Sequence, residues 1–389
     1  MLAAKSITLV VLASLSLFIW LFLLIFWGNF WRSNQYIDEN YPKLKSYPTV
    51  CAIVPARNEA EAIERSLTSL LTQKYSGDFY IALVDDNSCD RTAEIATETA
   101  RQLNKTHQLK IISGKPLMTG WKGKLWAMNQ GIDCANQRSP DYFLFTDADI
   151  YHHPENLTQL VTKAETEKLD LVSLMVLLRC QSLWEKLLIP AFVFFFQKLY
   201  PFPWVNNPQK SIAAAAGGCI LISSKSLEEI GGIATIKDAL IDDCSLAKEI
   251  KQRDKNIWLG LSKKTISLRP YDNLKTIWDT IARTAFTQLN YSWLLLTGTL
   301  IGMFVVYMVA PLSLAIGILT GDYLLIKIAI VTLLLMTVAY IPTIKLYDLP
   351  VAWAFSLPAI AFLYTLMTLD SAVKYYRGKG GAWKGRTYS

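Results

Sequence analysis

Apolar and polar positions fall into three regimes along the chain. Ile7 to Trp27 is almost unbroken apolar sequence and ends in Trp27, Phe30, Trp31 and Arg32. A run of about 20 apolar residues closed by an aromatic and basic collar predicts a membrane anchor over residues 1–30. A cleaved signal peptide is the competing reading, but the apolar core is long and no small-x-small cleavage site follows it. From about residue 48 to 290, short apolar runs alternate with helical periodicity. Val50 to Val54 reads as a buried strand ended by Pro55, and Glu59 to Leu71 as a helix with Ala62, Ile63, Ser66, Leu67 and Leu70 on one face. Tyr80 to Val84 is a second strand, Asp90 caps a helix from Thr92 to about Leu103, and Lys110 to Ile112 is a third strand. Leu125 to Ala135 then reads as a helix and Tyr142 to Phe145 as the fourth strand. This alternation predicts an α/β domain with a mostly parallel sheet and ligands at the strand carboxyl ends. Further on, Ala213 to Ile222 reads as a strand whose Gly217 and Gly218 admit a close approach, and Ser226 to Ile230 as a short helix stopped at Gly231-Gly232.

Two segments look membrane-facing without spanning. Residues 183–204 are rich in Phe, Trp and Tyr, but the uninterrupted apolar stretch Leu187 to Phe196 is too short for a bilayer. Within 274–291, Leu274, Ile277, Trp278, Ile281, Ala285 and Leu289 share a helical face, as in an interfacial helix; a core helix is the alternative for both segments. Residues 292–370 return to apolar runs: Trp293 to Leu319, Tyr323 to Ile344 and Val351 to Leu369. The tail, 371–389, is basic through Lys374, Arg377, Lys379, Lys384 and Arg386. Three crossings after residue 290 would put that tail outside, whereas the positive-inside rule puts it in the cytoplasm. Val351 to Leu369, preceded by Pro350 and containing Pro358, is therefore expected to be re-entrant or kinked, with a cytoplasmic tail folding back towards the globular domain.

Composition agrees with a membrane protein: 389 residues, 52% hydrophobic, net charge +7. The six cysteines are widely spaced in the globular part without a Cys-x-x-Cys pair, which argues against zinc and for a reduced, cytosolic domain. The positive charge suits an anionic inner-membrane surface. No basic stripe is interleaved with aromatics, so nucleic acid is not an expected partner.

The candidate chemistry collects at the predicted strand ends. Asp147-Ala148-Asp149 follows the fourth strand, and two carboxylates one residue apart can clamp a hard dication that neutralises a diphosphate. Pro55-Ala56-Arg57-Asn58-Glu59 and Asp85-Asp86 belong to neighbouring strand ends, where they can bind a uracil base and ribose. Gly120-Trp121-Lys122-Gly123-Lys124 places cations beside the metal and diphosphate. Asp242-Asp243 is a carboxylate pair able to activate an acceptor hydroxyl.

In these segments, with Ala127 to Gly131, Gly217-Gly218 and Glu229 to Gly232, residues 48–290 resemble the family-2 glycosyltransferases of GT-A fold. With the terminal anchors and the segment Gly380 to Arg386, the whole chain resembles the hopene-associated membrane subgroup, related to ceramide and carotenoid glycosyltransferases. The resemblance implies a Rossmann-like mixed sheet between N- and C-terminal transmembrane helices. It also implies inverting transfer from a nucleotide sugar, expected to be UDP-linked, to a lipid hydroxyl of hopanoid or other isoprenoid type. Asp149 with Asp147 would hold Mg²⁺ or Mn²⁺, and Asp243, with Asp242 beside it, would be the base. Pro55, Arg57, Glu59, Asp85, Asp86, Lys124, Asp147, Gly218 and Arg283 would bind the donor, with the catalytic domain on the cytoplasmic face of the inner membrane. The family's Gln-x-x-Arg-Trp is replaced here by Arg283 to Leu289, which counts against a processive polysaccharide synthase. A non-catalytic lipid-binding or transport protein is the rival from another class. His152 and His153 read as metal ligands or as openers of a helix beside Pro154, Asp90 as a cap or a substrate ligand, Asp242 as a second carboxylate or a turn former, and Trp121 as packing or a sugar platform.

Overall fold

The computed structural model describes residues 2–37 and 41–378; the tail segment Gly380 to Arg386 lies outside the described residues. Eight strands form one sheet: β1 (Val50–Ala56), β2 (Phe79–Asp85), β3 (Leu109–Ser113), β4 (Tyr142–Phe145), β5 (Ile150–Tyr151), β6 (Leu171–Leu177), β7 (Ile220–Ser223) and β8 (Ile257–Ser267). Their order is β3-β2-β1-β4-β7-β6-β8-β5. Every residue of β1 is buried. Cys51 and Ile53 pack into one apolar layer and Val50, Ala52 and Val54 into the other, the alternation expected of a strand covered on both faces.

The first half of the sheet is parallel, as its sequence pattern predicts, and β1 pairs Ala56 with Asp85, bringing two motif-bearing strand ends level. The second half differs. β7 runs antiparallel to both β4 and β6, so the sheet is mixed. The expected strand also begins later, at Ile220, and Ala213 to Gly218 is an irregular approach to it. There the backbone bonds to a side chain instead of a ladder: Ser173 Oγ accepts from the Ala216 amide at 2.8 Å and donates to the Ala216 carbonyl at 3.2 Å. The reversal has a positional consequence. With Phe145 opposite Ile220, the amino end of β7 meets the carboxyl end of β4, and the Gly217-Gly218 turn lands beside Asp147.

Residues 183–199 form a helix opened by a capping box of Ser182 and Glu185; such a cap is worth about 1 kcal/mol. Ile189 and Val193 pack into a sheet layer, while Leu188, Ala191 and Phe194 pack with the long apolar helices. These positions occupy opposite faces at helical spacing, so this helix joins the two halves of the molecule. Burying side chains of this size contributes about 1.5–3 kcal/mol each. A shorter helix, Leu274–Thr284, buries Ile277 and Ile281 against the same long-helix cluster.

Four helices are long and apolar enough to cross a membrane: Ile7–Phe26, Trp293–Thr320, Tyr323–Leu346 and Val351–Tyr376. The second and third form a tight hairpin, where a Cβ on Gly317 would stand 2.8 Å from Ile326 Cγ1. The second widens into a π-turn at Phe304–Met308, and its Val306 carbonyl accepts the Trp20 indole N–H at 2.8 Å.

The last segment is not broken at Pro358. Helical turns over Val351–Ser356 lead into a helix at Leu357–Tyr376, and Pro358 sits in its first turn, where a missing N–H is tolerated. Both ends of the segment touch the globular half. Before it, Leu346 and Tyr347 are buried in a sheet layer and Asp348 lies 3.6 Å from Lys263 of β8. At its end, Asp370 accepts from the Trp278 indole at 2.7 Å and Lys374 pairs with Asp279 at 2.8 Å. A cysteine at the exposed position 377 is therefore expected to react with a membrane-impermeant maleimide from the same side as native Cys89, which is exposed on the globular domain. Labelling from opposite sides would show that the last helix crosses.

Candidate active site

Several strand ends contribute to one cavity of about 300 Å³. It is lined by Pro55 at the end of β1 and Glu59 beyond it, Asp147 to Asp149 between β4 and β5, Gly217 and Gly218 before β7, Arg269 after β8, and Lys124, Asp242 and Asp243 from two helix starts. Lys124 stands in the first turn of a helix over Gly123–Ala135. Its Nζ lies 2.9 Å from Asp147 Oδ1 and 3.1 Å from Asp242 Oδ2. Burial works against the ammonium, but Asp147 and Asp242 outweigh it and hold its pKa well above the ordinary lysine value. The Asp147 carboxyl is itself pushed up by burial, opposed by Lys124 and reinforced by the charge of Asp149.

Asp242 and Asp243 open the helix Asp242–Lys251, where the macrodipole favours negative charge. They have separate duties. Asp242 binds Lys124, whereas Asp243 Oδ2 accepts the Gly217 amide at 2.8 Å and Oδ1 accepts the Cys244 amide at 2.7 Å. Burial and then the neighbouring charge of Asp242 raise the Asp243 pKa to about 6, against the pull of Lys124 and of the two amides. A Cβ at Gly217 would lie 3.3 Å from both Asp243 Oδ2 and Lys124 Nζ, so only glycine keeps this approach relaxed.

The donor-side motifs divide. Pro55 and Glu59 line the cavity, but Arg57 turns its guanidinium onto the Asp86 carbonyl at 2.5 Å and lies 3.7 Å from the Asp86 carboxylate. Asp85 Oδ1 accepts the Ser88 amide at 3.3 Å, so Asp85 and Asp86 shape the loop after β2. Gly218 turns its carbonyl to the Thr146 hydroxyl at 2.9 Å. Arg283 lines the cavity and also a second one of about 610 Å³ that holds Lys122 and Lys248.

Of the residues with two readings, Asp90 is a cap, accepting from the Thr92 amide and hydroxyl and from the Ala60 amide. Asp242 is an ion-pair partner. His152 is buried, bonded to Thr146 and Asn156, and does not line the cavity, while His153 Nδ1 accepts the Glu155 amide at 3.4 Å where the next helix starts. Trp121 packs against a sheet layer and Trp126 and is absent from the cavity lining.

Arg269 is the residue that sequence reasoning missed. Its Nε lies 2.7 Å from Asp149 Oδ2 and its Nη2 3.2 Å from Glu59 Oε1, bridging two strand ends. The available signal was a lone arginine before Pro270 at the end of an apolar strand.

A mixed sheet in which β4 meets the reversed β7 beside a cluster of carboxylates has the layout of the GT-A fold. Residues 51–231 match the family described as Glycosyl transferase family 2. The chain is 35% identical over 145 residues to the probable glycosyltransferase YdaM of Bacillus subtilis, which covers 35% of this chain and 32% of that protein. It is 34% identical over 143 residues to an undecaprenyl-phosphate 4-deoxy-4-formamido-L-arabinose transferase of Yersinia enterocolitica, covering 35% and 39%. Over 128 residues it is 30% identical to the beta-monoglucosyldiacylglycerol synthase of Trichormus variabilis, covering 33% and 26%. The chain thus spans well under half the length of these relatives. Among solved structures, the mannosyltransferase PcManGT of Pyrobaculum calidifontis, in complex with GDP-Man and Mn²⁺, superposes with a TM-score of 0.55 at 18% identity, over 97% of this chain and 99% of that one; the likeness is one of fold.

A base with a pKa of about 6 works in its unprotonated form, so kcat/KM is expected to fall as pH drops below about 6. Asp242→Asn removes the neighbouring negative charge that raises that pKa, and should move the acid limb to lower pH. A limb that stays in place or moves up would show that Asp243 is not the titrating base.

Proposed function

We propose that this protein is a membrane-bound, inverting glycosyltransferase that moves one sugar from a nucleotide donor, UDP-linked, to the hydroxyl of a lipid of hopanoid or other isoprenoid type, at the cytoplasmic face of the cell membrane. The observation that carries the reading is the composition of the cavity. Besides the carboxylates and cations described above, it is walled by Ile189, Phe192, Phe196, Ile277, Ile281 and Tyr364. Three of these come from the helix that joins the two halves, two from helix 274–284 and one from the last apolar helix. A lipid whose hydroxyl reaches Asp243 can leave its hydrocarbon against that wall. The relatives named for undecaprenyl-phosphate and diacylglycerol substrates support a lipid acceptor. Among the described residues Tyr364 is the one lining residue from beyond residue 290, so the cavity wall draws little on the long helices; this supports single transfer over processive synthesis.

The donor set fits a hard dication. Five carboxylates line the cavity against four cations (Glu59, Asp147, Asp149, Asp242 and Asp243 against Lys122, Lys124, Arg269 and Arg283), so a bare diphosphate would meet net negative charge. Lys124 and Arg269 each engage one oxygen of Asp147 and Asp149, leaving the second oxygen of each carboxylate for a metal. Among the described residues no group of three potential ligands converges, so Asp147 and Asp149 would be the residues that hold a Mg²⁺ or Mn²⁺. A bound Mg²⁺ or Mn²⁺ supplies charge neutralisation of the departing diphosphate. Lys124 adds a fixed cation beside it, and Arg269 holds Asp149 in place. Asp243, oriented by the Gly217 and Cys244 amides, takes the acceptor proton through a remaining lone pair.

The reading is tested with purified protein in lipid nanodiscs, given UDP-sugars and a total lipid extract. A lipid product heavier by one glycosyl residue is expected, and it should vanish in EDTA and in Asp149→Ala. Asp243→Asn should retain donor binding while losing about 10²–10⁴ in rate. Sugar chains in the product would favour the synthase, and absence of both product and donor hydrolysis would favour a non-catalytic binding protein.

A further inference from the structure

Behind the cavity, a chain of buried side chains connects three loops that the active site needs in register. Thr265 of β8 donates its hydroxyl to Asn156 Oδ1 at 3.0 Å, and Asn156 Nδ2 lies 3.0 Å from His152 Nδ1. His152 Nε2 is 2.8 Å from Thr146 Oγ1, and the Thr146 hydroxyl is 2.9 Å from the Gly218 carbonyl. Thr265, Asn156, His152 and Thr146 are each 1–2% exposed.

The bonding pattern leaves one arrangement of protons. The Asn156 amide nitrogen can only donate, so His152 Nδ1 accepts from it and Nε2 donates to Thr146, whose own hydrogen goes to a carbonyl, Gly218 at 2.9 Å being nearer than Asp147 at 3.3 Å. Both amide hydrogens of Asn156 are then used, the second on Cys219 Sγ at 3.7 Å. Burial depresses the imidazole pKa to about 3, so the ring stays neutral and the arrangement persists across the working pH range.

What this chain holds is the turn that serves the base. Thr146 is the residue before Asp147, and Gly218 follows Gly217, whose amide donates to Asp243. Ser173 holds the other side of the same turn through both polar groups of Ala216. Two glycines in succession have no side chains to fix their peptide planes, so the direction of the Gly217 N–H depends on these flanking bonds.

We propose that Thr146 and His152 are positioning residues that lock the Gly217-Gly218 turn to the Asp147-Ala148-Asp149 loop, and so set Asp243 against the donor. This rests on the glycosyl-transfer reading of the cavity. The Thr146 hydroxyl is bonded to Gly218 and His152, and Thr146 does not line the 300 Å³ cavity, so its contribution runs through the base.

The test is Thr146→Val, which keeps the shape and removes the hydroxyl, with Thr146→Ser, which restores it, and Thr146→Ala read by the same criteria in case valine does not fit. Donor affinity is measured by calorimetry without acceptor, and kcat and its pH profile with acceptor. Outer contacts of this kind are typically worth about 10–100-fold, so Thr146→Val should lose about that factor in kcat while donor affinity stays within about threefold. Its acid limb should move to higher pH, because a loosened Gly217 amide no longer favours the Asp243 carboxylate. Thr146→Ser should return to within about threefold of the native kcat. Native kcat in Thr146→Val, an unmoved acid limb, or no recovery in Thr146→Ser would overturn the proposal. An inactive native protein would instead overturn the transfer reading on which it rests.

Discussion

The active site depends on a single ammonium group held among carboxylates. Lys124 meets Asp147 from the strand side and Asp242 from the helix side, and no other cation bridges these two elements within hydrogen-bond range among the described residues. Remove its charge and two partly buried carboxylates face each other with Asp149 and Asp243 close behind, an arrangement that electrostatics would push apart or protonate. With the charge in place, Lys124 holds one carboxylate of each pair, while Asp149 is paired by Arg269 and Asp243 by two backbone amides. Burial and the charge of Asp242 push the Asp243 carboxyl up to about 6.

The same division of labour recurs on the donor side. Arg269 takes one oxygen of Asp149 and reaches Glu59, tying the end of β8 to the segments after β4 and β1. Arg57 is spent on the loop after β2. Thus the two arginines nearest the donor motifs both stabilise loops, and what faces the cavity is a mixed field of opposed charges. Such a field is organised before any ligand arrives, which is where electrostatic catalysis gains its advantage.

Coupling between this site and the long apolar helices runs through packing. The helix over residues 183–199 is buried on two faces, one in a sheet layer and one among the long helices, and Tyr364 of the last helix donates to its Leu188 carbonyl at 2.8 Å. Apolar side chains from this joint form the wall of the catalytic cavity. The apolar wall of the cavity is therefore built from the same residues that attach the globular domain to the long apolar helices, and close packing there ties the shape of the cavity to the joint.

Much of this was legible in the chain. Period-2 and period-3.6 patterns located β1 to β4 and their helices, apolar length located the long helices, and paired carboxylates after apolar runs located Asp147, Asp149, Asp242 and Asp243, because these features are set by local spacing. Tertiary structure decided the rest. The direction of β7 follows from pairing with strands far away in sequence, and it alone brings Gly217 to Asp243. The partner of Asp149 lies 120 residues further along, and the partners of His152 sit in the loop after β4 and at the start of the next helix, so a ligand and a structural histidine look alike until folded. Helix 183–199 read as a membrane surface element because its apolar residues surround the axis; only the fold shows that two different cores claim its two faces. Hydrophobicity counts how much surface a segment must bury, and the packing of distant elements determines against what.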